Sequence, residues 1–564
     1  MKRRDFLKII GAGGVGTGLG VLFGKLTKAP GAKLIPRLIP PEDVIPGIGT
    51  WYSSSCTQCG AGCGTMVKVM EGHARKIEGN PLNPVNKGKL CVRGQAALQA
   101  LYNPDRIKAP LKRRGERGKG DFEEISWDEA ISIVAKNLAG TPADKAYLVS
   151  SRLRGHYNTL VANFMAGYGS QNHINYELFQ PRNLAYANQV SMGLGAIPHY
   201  DIENTKYLLS FGADFSTTWL SPVGYSRAYG EMRQGKGKRG KLVQVEPRLS
   251  LSGANADEWV SVRPGAEGIL ALSIAFAIIE KGQYRGGDAG SWKAALGAFK
   301  PSEAVKLTGV SEEKIYEIAK EFAATRPSLA LGGGNVARYE DGHAGLVAVN
   351  ILNHVAGNIG IKGGVVPNPE TNLRGEKRND FKNSIAKFAH DASAGKVKAV
   401  LFCNTNPVFT APAQMKLTDA LKNTAFIASV SSFIDETTAM ADIVLPVHHT
   451  LEDWGDDFTD PAPGAGQAAI IQPVVSPVYN TKGLGDIFIS LGKAMGGKTA
   501  SKLPGGSYAD YLKDSWKELY SRNRAMSVGT SGFDEFWNKV LANGGWWPAE
   551  QDRPRTAHVS ASAV

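Results

Sequence analysis

The chain has 564 residues, 43% of them hydrophobic and 21% charged, with a formal net charge of +13. A chain of that length and apolar content buries several cores, needs no disulfide staples, and is neither a disordered segment nor a mini-domain. Its basic residues are dispersed, and the densest runs, Lys112–Arg114 with Arg117 and Lys119, and Lys236 with Lys238, Arg239 and Lys241, are broken by glycine and lack interleaved aromatics. That pattern argues against nucleic acid as a partner.

In chain order, the first feature is Met1-Lys-Arg-Arg-Asp-Phe-Leu-Lys8, followed by an apolar, glycine-rich segment from Ile9 to about Phe23. A twin arginine ahead of a short, weakly hydrophobic run is the address for Tat export, which carries folded proteins with cofactors already inserted. Residues 1–28 are therefore expected to be a signal or a retained anchor; Lys28-Ala-Pro-Gly-Ala32 is only a candidate cleavage site. Residues 29–50 are rich in proline and read as a linker. No other run reaches the ~18 apolar residues of a spanning helix, and Gly268–Ile279 reads as a buried helix.

Four of the five cysteines fall in one stretch, Cys56-Thr-Gln-Cys59-Gly-Ala-Gly-Cys63 and Cys91. Four thiolates suit a [4Fe–4S] cluster, and the glycines let a short loop wrap a bulky group. The same thiols also admit a zinc site or two disulfides, although three ligands within eight residues is an uncommon zinc spacing. Thr65–Met70 and Ala74–Glu78 alternate as a small antiparallel sheet would. The isolated Cys403 reads as a small buried apolar residue.

A helix is expected from Ser126, with Ser126 as N-cap and Glu129 at the capping-box position. Beyond it, short apolar strands at 146–149, 207–211, 241–245, 329–331 and 399–402 alternate with helical pieces at 201–206, 266–280, 311–324 and 342–355. That alternation implies parallel, doubly wound sheets. Four of the strands end in small or polar residues, at Phe211-Gly-Ala-Asp214, Val245-Glu-Pro-Arg248, Leu331-Gly-Gly-Gly-Asn335 and Phe402-Cys-Asn-Thr-Asn-Pro407. Ligands bind at such carboxyl ends, so a large phosphate-bearing ligand across two sheets is expected. His448 and His449, with Glu452 and Asp456, offer metal-ligating groups, but the common use of such a cluster is a satisfied polar turn.

These motifs, with Pro104-Asp-Arg, Ile125-Ser-Trp-Asp-Glu-Ala130, Arg263-Pro-Gly-Ala-Glu267, Gly357-Asn-Ile-Gly-Ile-Lys-Gly-Gly364 and Ala441-Asp-Ile-Val-Leu-Pro446, resemble the molybdopterin oxidoreductases of the DMSO reductase type. The resemblance spans roughly residues 51–500. It implies an α/β fold made of a small antiparallel iron–sulfur domain and two doubly wound domains. The expected division is 51–106 with part of 447–500 for the iron–sulfur domain, 107–150 with 325–446 for one α/β domain, 151–324 for the other, and 501–564 as a short helical extension. By resemblance Cys56, Cys59, Cys63 and Cys91 hold the cluster. Arg93 stands where the family has a cation between cluster and pterin. Glu246, Glu267, Asn335, Asn404 and Asn406 become candidate contacts to molybdopterin guanine dinucleotide, although the family usually has Asp at the two glutamate positions.

Two departures qualify that expectation. Near Gln180, where the family offers Ser, Cys, selenocysteine or Asp to molybdenum, stands a neutral amide, a poor ligand for a high-valent metal; Glu177 is the nearby carboxylate. By the same resemblance, the family's closing C-terminal β-barrel domain is expected to be missing or truncated. Within the family the closest pattern is the molybdopterin-oxidoreductase-like subunit of quinone reductase complex and alternative complex III. That likeness rests on 207–222 and on His448-His-Thr-Leu-Glu-Asp-Trp-Gly-Asp456. It implies an exported, membrane-attached, quinone-linked respiratory complex with a ferredoxin-like iron–sulfur subunit, a multihaem cytochrome c and a quinone-binding membrane subunit. No catalytic residue is assigned, and whether the chain itself catalyses stays open. The alternatives are a molybdenum reductase or dehydrogenase acting on polysulfide, thiosulfate or formate, and a purely structural scaffold.

Overall fold

The computed structural model describes residues 47–177, 181–194, 196–234, 239–285, 288–339, 341–368, 384–459, 466–548 and 559–560. The expected signal at 1–28, all but the last residues of the linker, and the Gln180 position lie outside them. The folded body begins at Gly49.

Thr50–Ser55, Gly64–Met70 and His73–Gly79 form an antiparallel three-stranded sheet, as their alternation predicts. The cysteine loop is the connection between its first two strands.

A seven-stranded sheet runs in the order 122–124, 111–113, 443–446, 426–431, 399–403, 146–150, 173–175. Its first two strands join antiparallel and the other five are parallel. The period of two is visible in the packing. Ala399, Leu401 and Cys403 face one core, while Val400 and Phe402 face another. Cys403 is thus the buried apolar residue its sequence suggests, with burial raising its thiol to about 12.

A second, four-stranded parallel sheet runs 258–260, 241–245, 207–211, 328–332. Helix Glu267–Glu280, apolar along most of its length, is buried between this sheet and its neighbours. Ser126 caps helix Trp127–Ala139 through its hydroxyl, which accepts the Glu129 N–H at 3.1 Å. The return half of the capping box is absent, because the Glu129 carboxylate pairs with Lys112 instead.

Three expectations about the layout are corrected. Ser328–Gly332 pairs with Tyr207–Phe211, so this strand and helix Gly342–Val355 belong to the four-stranded sheet rather than with 325–446. Helix Gly155–Tyr168 and strand His173–Asn175 belong to the seven-stranded sheet rather than with 151–324. Pairing partners far apart in sequence decide both. The C-terminal residues are not an appended extension either. Helices Tyr508–Arg522 and Phe533–Asn543 bury Leu512, Trp516 and Phe536 in the core under the seven-stranded sheet. Gly545–Trp546 then pairs with Ala468–Ala469 in a third antiparallel sheet. No barrel and no helix long and apolar enough to cross a membrane occurs among the described residues.

Candidate iron–sulfur site and nucleotide cradles

The cysteine loop closes on itself where the Cys56 N–H donates to the Cys63 carbonyl at 2.8 Å. Gly62 makes the return turn at φ +62°; a Cβ there would meet Thr459 at 2.3 Å. Asn86 brings the distant fourth cysteine to the other three. Its Oδ1 accepts the Gly64 N–H at 3.0 Å, while its Nδ2 donates to the Gly64 carbonyl at 2.9 Å and the Lys89 carbonyl at 2.5 Å. One buried amide thus stitches the residue after Cys63 to a residue two before Cys91. The Asn83-Pro-Val-Asn86 run is the sequence signal for this stitch.

All four thiols are free, with no disulfide among them. Burial pushes Cys56 up to about 11, with the neighbouring thiols of Cys59 and Cys91 adding to it. Burial raises Cys63 further, again with Cys56, Cys59 and Cys91 contributing. The four sulfurs therefore share one electrostatic site, in which thiolates need a positive counter-charge to coexist. A cluster of four irons, one per thiolate, supplies it, so the donor set fits that group.

Two arginines that sequence reasoning missed grip the loop. Arg154 Nη2 donates to the carbonyls of Cys59 at 2.7 Å and Thr57 at 3.2 Å; Arg152 Nη1 donates to Gly60 at 3.2 Å. Both guanidinium groups share the carboxylate of Asp457, whose side chain is 1% exposed. Arg93 sits exposed on the short helix Val92–Gln95 and reaches none of these groups. Beside Cys91 an open cleft of about 540 Å³ is lined by Lys89, Thr217, Ser226, Arg227 and Glu231, among others.

The candidate nucleotide contacts divide between the two parallel sheets. At the end of the four-stranded sheet, Glu267 opens its helix, is 1% exposed, and leaves Oε1 without a partner. Burial raises its carboxyl, against the pull of the N–H groups of Glu267 and Gly265. A buried, unpaired acceptor fits a donor edge such as guanine. Glu246 is already spent: its Oε1 accepts the Ser250 N–H at 2.6 Å and its Oε2 the Gln244 amide at 3.0 Å. Asn335 lies half-buried after Gly334, whose Cβ would strike the Gly212 carbonyl at 1.9 Å, so only glycine permits that turn.

At the end of the seven-stranded sheet, Asn404 is exposed with φ +50°. Asn406 is consumed within the chain. Its Oδ1 accepts from the Thr437 N–H and hydroxyl, and its Nδ2 donates to Glu436 at 2.6 Å.

The histidine turn is satisfied in the same way. His449 caps the turn Thr450–Glu452, and His448 meets Thr481 at 2.6 Å. Glu452 is held by both Arg106 nitrogens and by the N–H groups of Val478 and His449. Burial alone would raise the Glu452 carboxyl, but these donors outweigh it and hold it below the usual range. Asp456 accepts from the His156 backbone, the His156 ring and the Trp516 indole.

Comparison with known proteins follows the same division. The molybdopterin oxidoreductase family model matches residues 106–494, and the molybdopterin oxidoreductase Fe4S4 domain matches residues 50–103. The chain is 28% identical over 559 residues to the arsenate respiratory reductase molybdopterin-containing subunit ArrA of Shewanella sp. strain ANA-3, covering 85% of this chain and 64% of that protein. It is 28% identical over 481 residues to the menaquinone reductase, molybdopterin-binding-like subunit of Nitratidesulfovibrio vulgaris, covering 83% and 68%. These alignments thus span about two thirds of either relative. Acetylene hydratase from Pelobacter acetylenicus superposes with a TM-score of 0.66 at 20% identity, over 82% of this chain and 73% of that one, which is a likeness of fold.

Proposed function

Because this chain belongs to the molybdopterin oxidoreductase family and carries its Fe4S4 domain, we propose that it is the electron-carrying, molybdopterin-oxidoreductase-like subunit of an exported, membrane-attached, quinone-linked complex. The observation that carries this reading is its similarity to the menaquinone reductase subunit along most of the chain. The neutral Gln180, in place of a molybdenum ligand, supports a chain without its own molybdenum chemistry. The twin-arginine start supports export.

Cys56, Cys59, Cys63 and Cys91 would hold a [4Fe–4S] cluster, which supplies one-electron transfer when bound. The chain's own part is to gather the four thiolates through Asn86, to shield Cys63 from water, and to keep the half-buried Cys91 beside an open cleft where a redox partner can approach. A ferredoxin-like subunit, a multihaem cytochrome c and a quinone-binding membrane subunit complete the proposed complex.

The similarity to the arsenate reductase subunit, at the same identity, favours a second reading, a molybdenum reductase in its own right. Elemental analysis of the natively purified complex separates the two. About four irons per chain without molybdenum or tungsten, together with co-purifying haem, supports the first. Molybdenum or tungsten near one per chain would transfer the case to the second.

A further inference from the structure

We propose that Arg154, with Arg152 beside it and Asp457 balancing both, is the positioning group that sets the reduction potential of the cluster; this rests on reading the four cysteines as its seat. Three carbonyls of the cysteine loop, those of Thr57, Cys59 and Gly60, accept from these two guanidinium groups. The side chains of Arg152 and Arg154 are 16% and 11% exposed, and the shared Asp457 carboxylate 1%. Asp457 balances one of the two cations, both guanidinium groups are largely shielded from water beside the loop that carries three of the four ligands, and the neighbouring buried Asp456 carboxylate is taken up by His156 and Trp516.

The position of that charge is fixed by the backbone. Arg154 ends the turn after strand Ala146–Ser150, and Gly155 follows at φ +46°, where a Cβ would lie 2.0 Å from Asp456 Oδ1. The same carboxylate receives the His156 N–H at 2.8 Å. The arginine pair is therefore held by the seven-stranded sheet and presented to the cysteine loop as a preformed surface. Thr57 adds a hydroxyl contact to Thr450 at 2.8 Å on the same side.

Charge near a cluster, hydrogen bonding and solvent exposure are what set its potential. An added electron makes the cluster more negative, so a shielded neighbouring cation favours reduction, and more strongly than the same charge in water would. Arg93, two residues after the fourth cysteine, is exposed and screened. The local field thus comes from residues that follow the cysteine region by long stretches of chain.

The test is a dithionite titration of the purified complex followed by EPR, with iron content read first in the wild type. Arg154→Gln is expected to lower the ratio of reduced to oxidised cluster about tenfold at fixed potential, or ~59 mV for one electron. Asp457→Asn, which removes the anion, is expected to shift the ratio the opposite way, and Arg154→Lys to stay within about twofold of wild type, on the same Coulomb argument. Opposite signs are a signature that a merely structural role would not produce. An Arg154→Gln chain with full iron and an unmoved midpoint overturns the proposal, as does a shift of the same sign in both variants. Should Arg154→Gln fail to assemble, Arg152→Gln is read in its place, with the same expected sign and the same overturning result. A wild-type chain without iron removes the cluster reading, and the inference with it.

Discussion

The cysteine loop and the carboxyl ends of the two parallel sheets are both places where this family carries a cofactor, yet they are prepared differently. Around the cysteines, the described polar groups converge: Asn86, Arg152 and Arg154 bond the loop and the chain that closes it, and Asp457 holds the two arginines. At the sheet ends the picture is mixed. Glu267 keeps a buried acceptor unspent, whereas Glu246 and Asn406 have turned inward to their own chain. Groups that face a ligand and groups that have become struts differ in one respect that experiment can read. Removing a strut costs stability, whereas removing a ligand contact costs occupancy.

The largest effect expected on the cysteine side is in Cys63→Ser. Iron should fall from about four per chain to well under half of that, because the most buried ligand is lost; full iron retention would move the cluster elsewhere. Next comes the seam beneath the loop. Glu452→Ala leaves Arg106 buried without its carboxylate, so unfolding by denaturant should show a loss of about 3–5 kcal/mol.

Asp453 adds a pH dependence to the same seam. Burial raises its carboxyl from 3.8 to about 7, against hydrogen bonds from Leu484, Tyr157 and Trp454. A carboxyl whose folded-state pKa is raised contributes stability below its unfolded value and loses it as pH rises through the folded one. Asp453 by itself should therefore impose a downward slope on stability from about pH 4 to pH 7, on the order of 1 kcal/mol or more, against the upward slope of the buried His173 and His449, which burial pushes down to about 4. Asp453→Asn should flatten that slope whatever its offset, and an unchanged slope would assign the titration to another group.

The smallest effects test the sheet ends. Asn406→Ala should cost about 1–3 kcal/mol by stranding the buried Thr437, with no change in any bound nucleotide. Glu267→Gln should leave the melting temperature within a degree or two but reduce guanine nucleotide released on acid denaturation. If the two variants exchange these outcomes, the division between strut and contact drawn above is reversed.

Much of this fold is legible in local pattern. The apolar runs at 146–149, 207–211, 241–245 and 399–402 are strands because period-two burial on both faces needs little else. Ser126 and Ser311 stand at helix starts because their hydroxyls accept an otherwise orphaned N–H. Pairing is not local, and there the reading falls short. Nothing around Ser328 says that its neighbour is Tyr207 rather than Ala399. The site divides in the same way. The cysteines identify themselves by spacing, but Arg154 finds Asp457 across 303 residues, and no pattern around Arg154 foretells it. Glu246 and Asn406 match the family's motif positions, yet their in-chain partners are visible only in three dimensions.

The seam between the first sheet and the last helix has a consequence for biosynthesis. The Ser53 hydroxyl donates to the Ala542 carbonyl across 489 residues, and the Asn80 amide to Asn543 across 463. Chains emerge from the ribosome N-terminus first. The sheet that borders the cysteine loop is therefore translated early, and these contacts form only after residues 542 and 543 have emerged. A product terminated ahead of those residues would carry the cysteine thiols without this part of the frame around them.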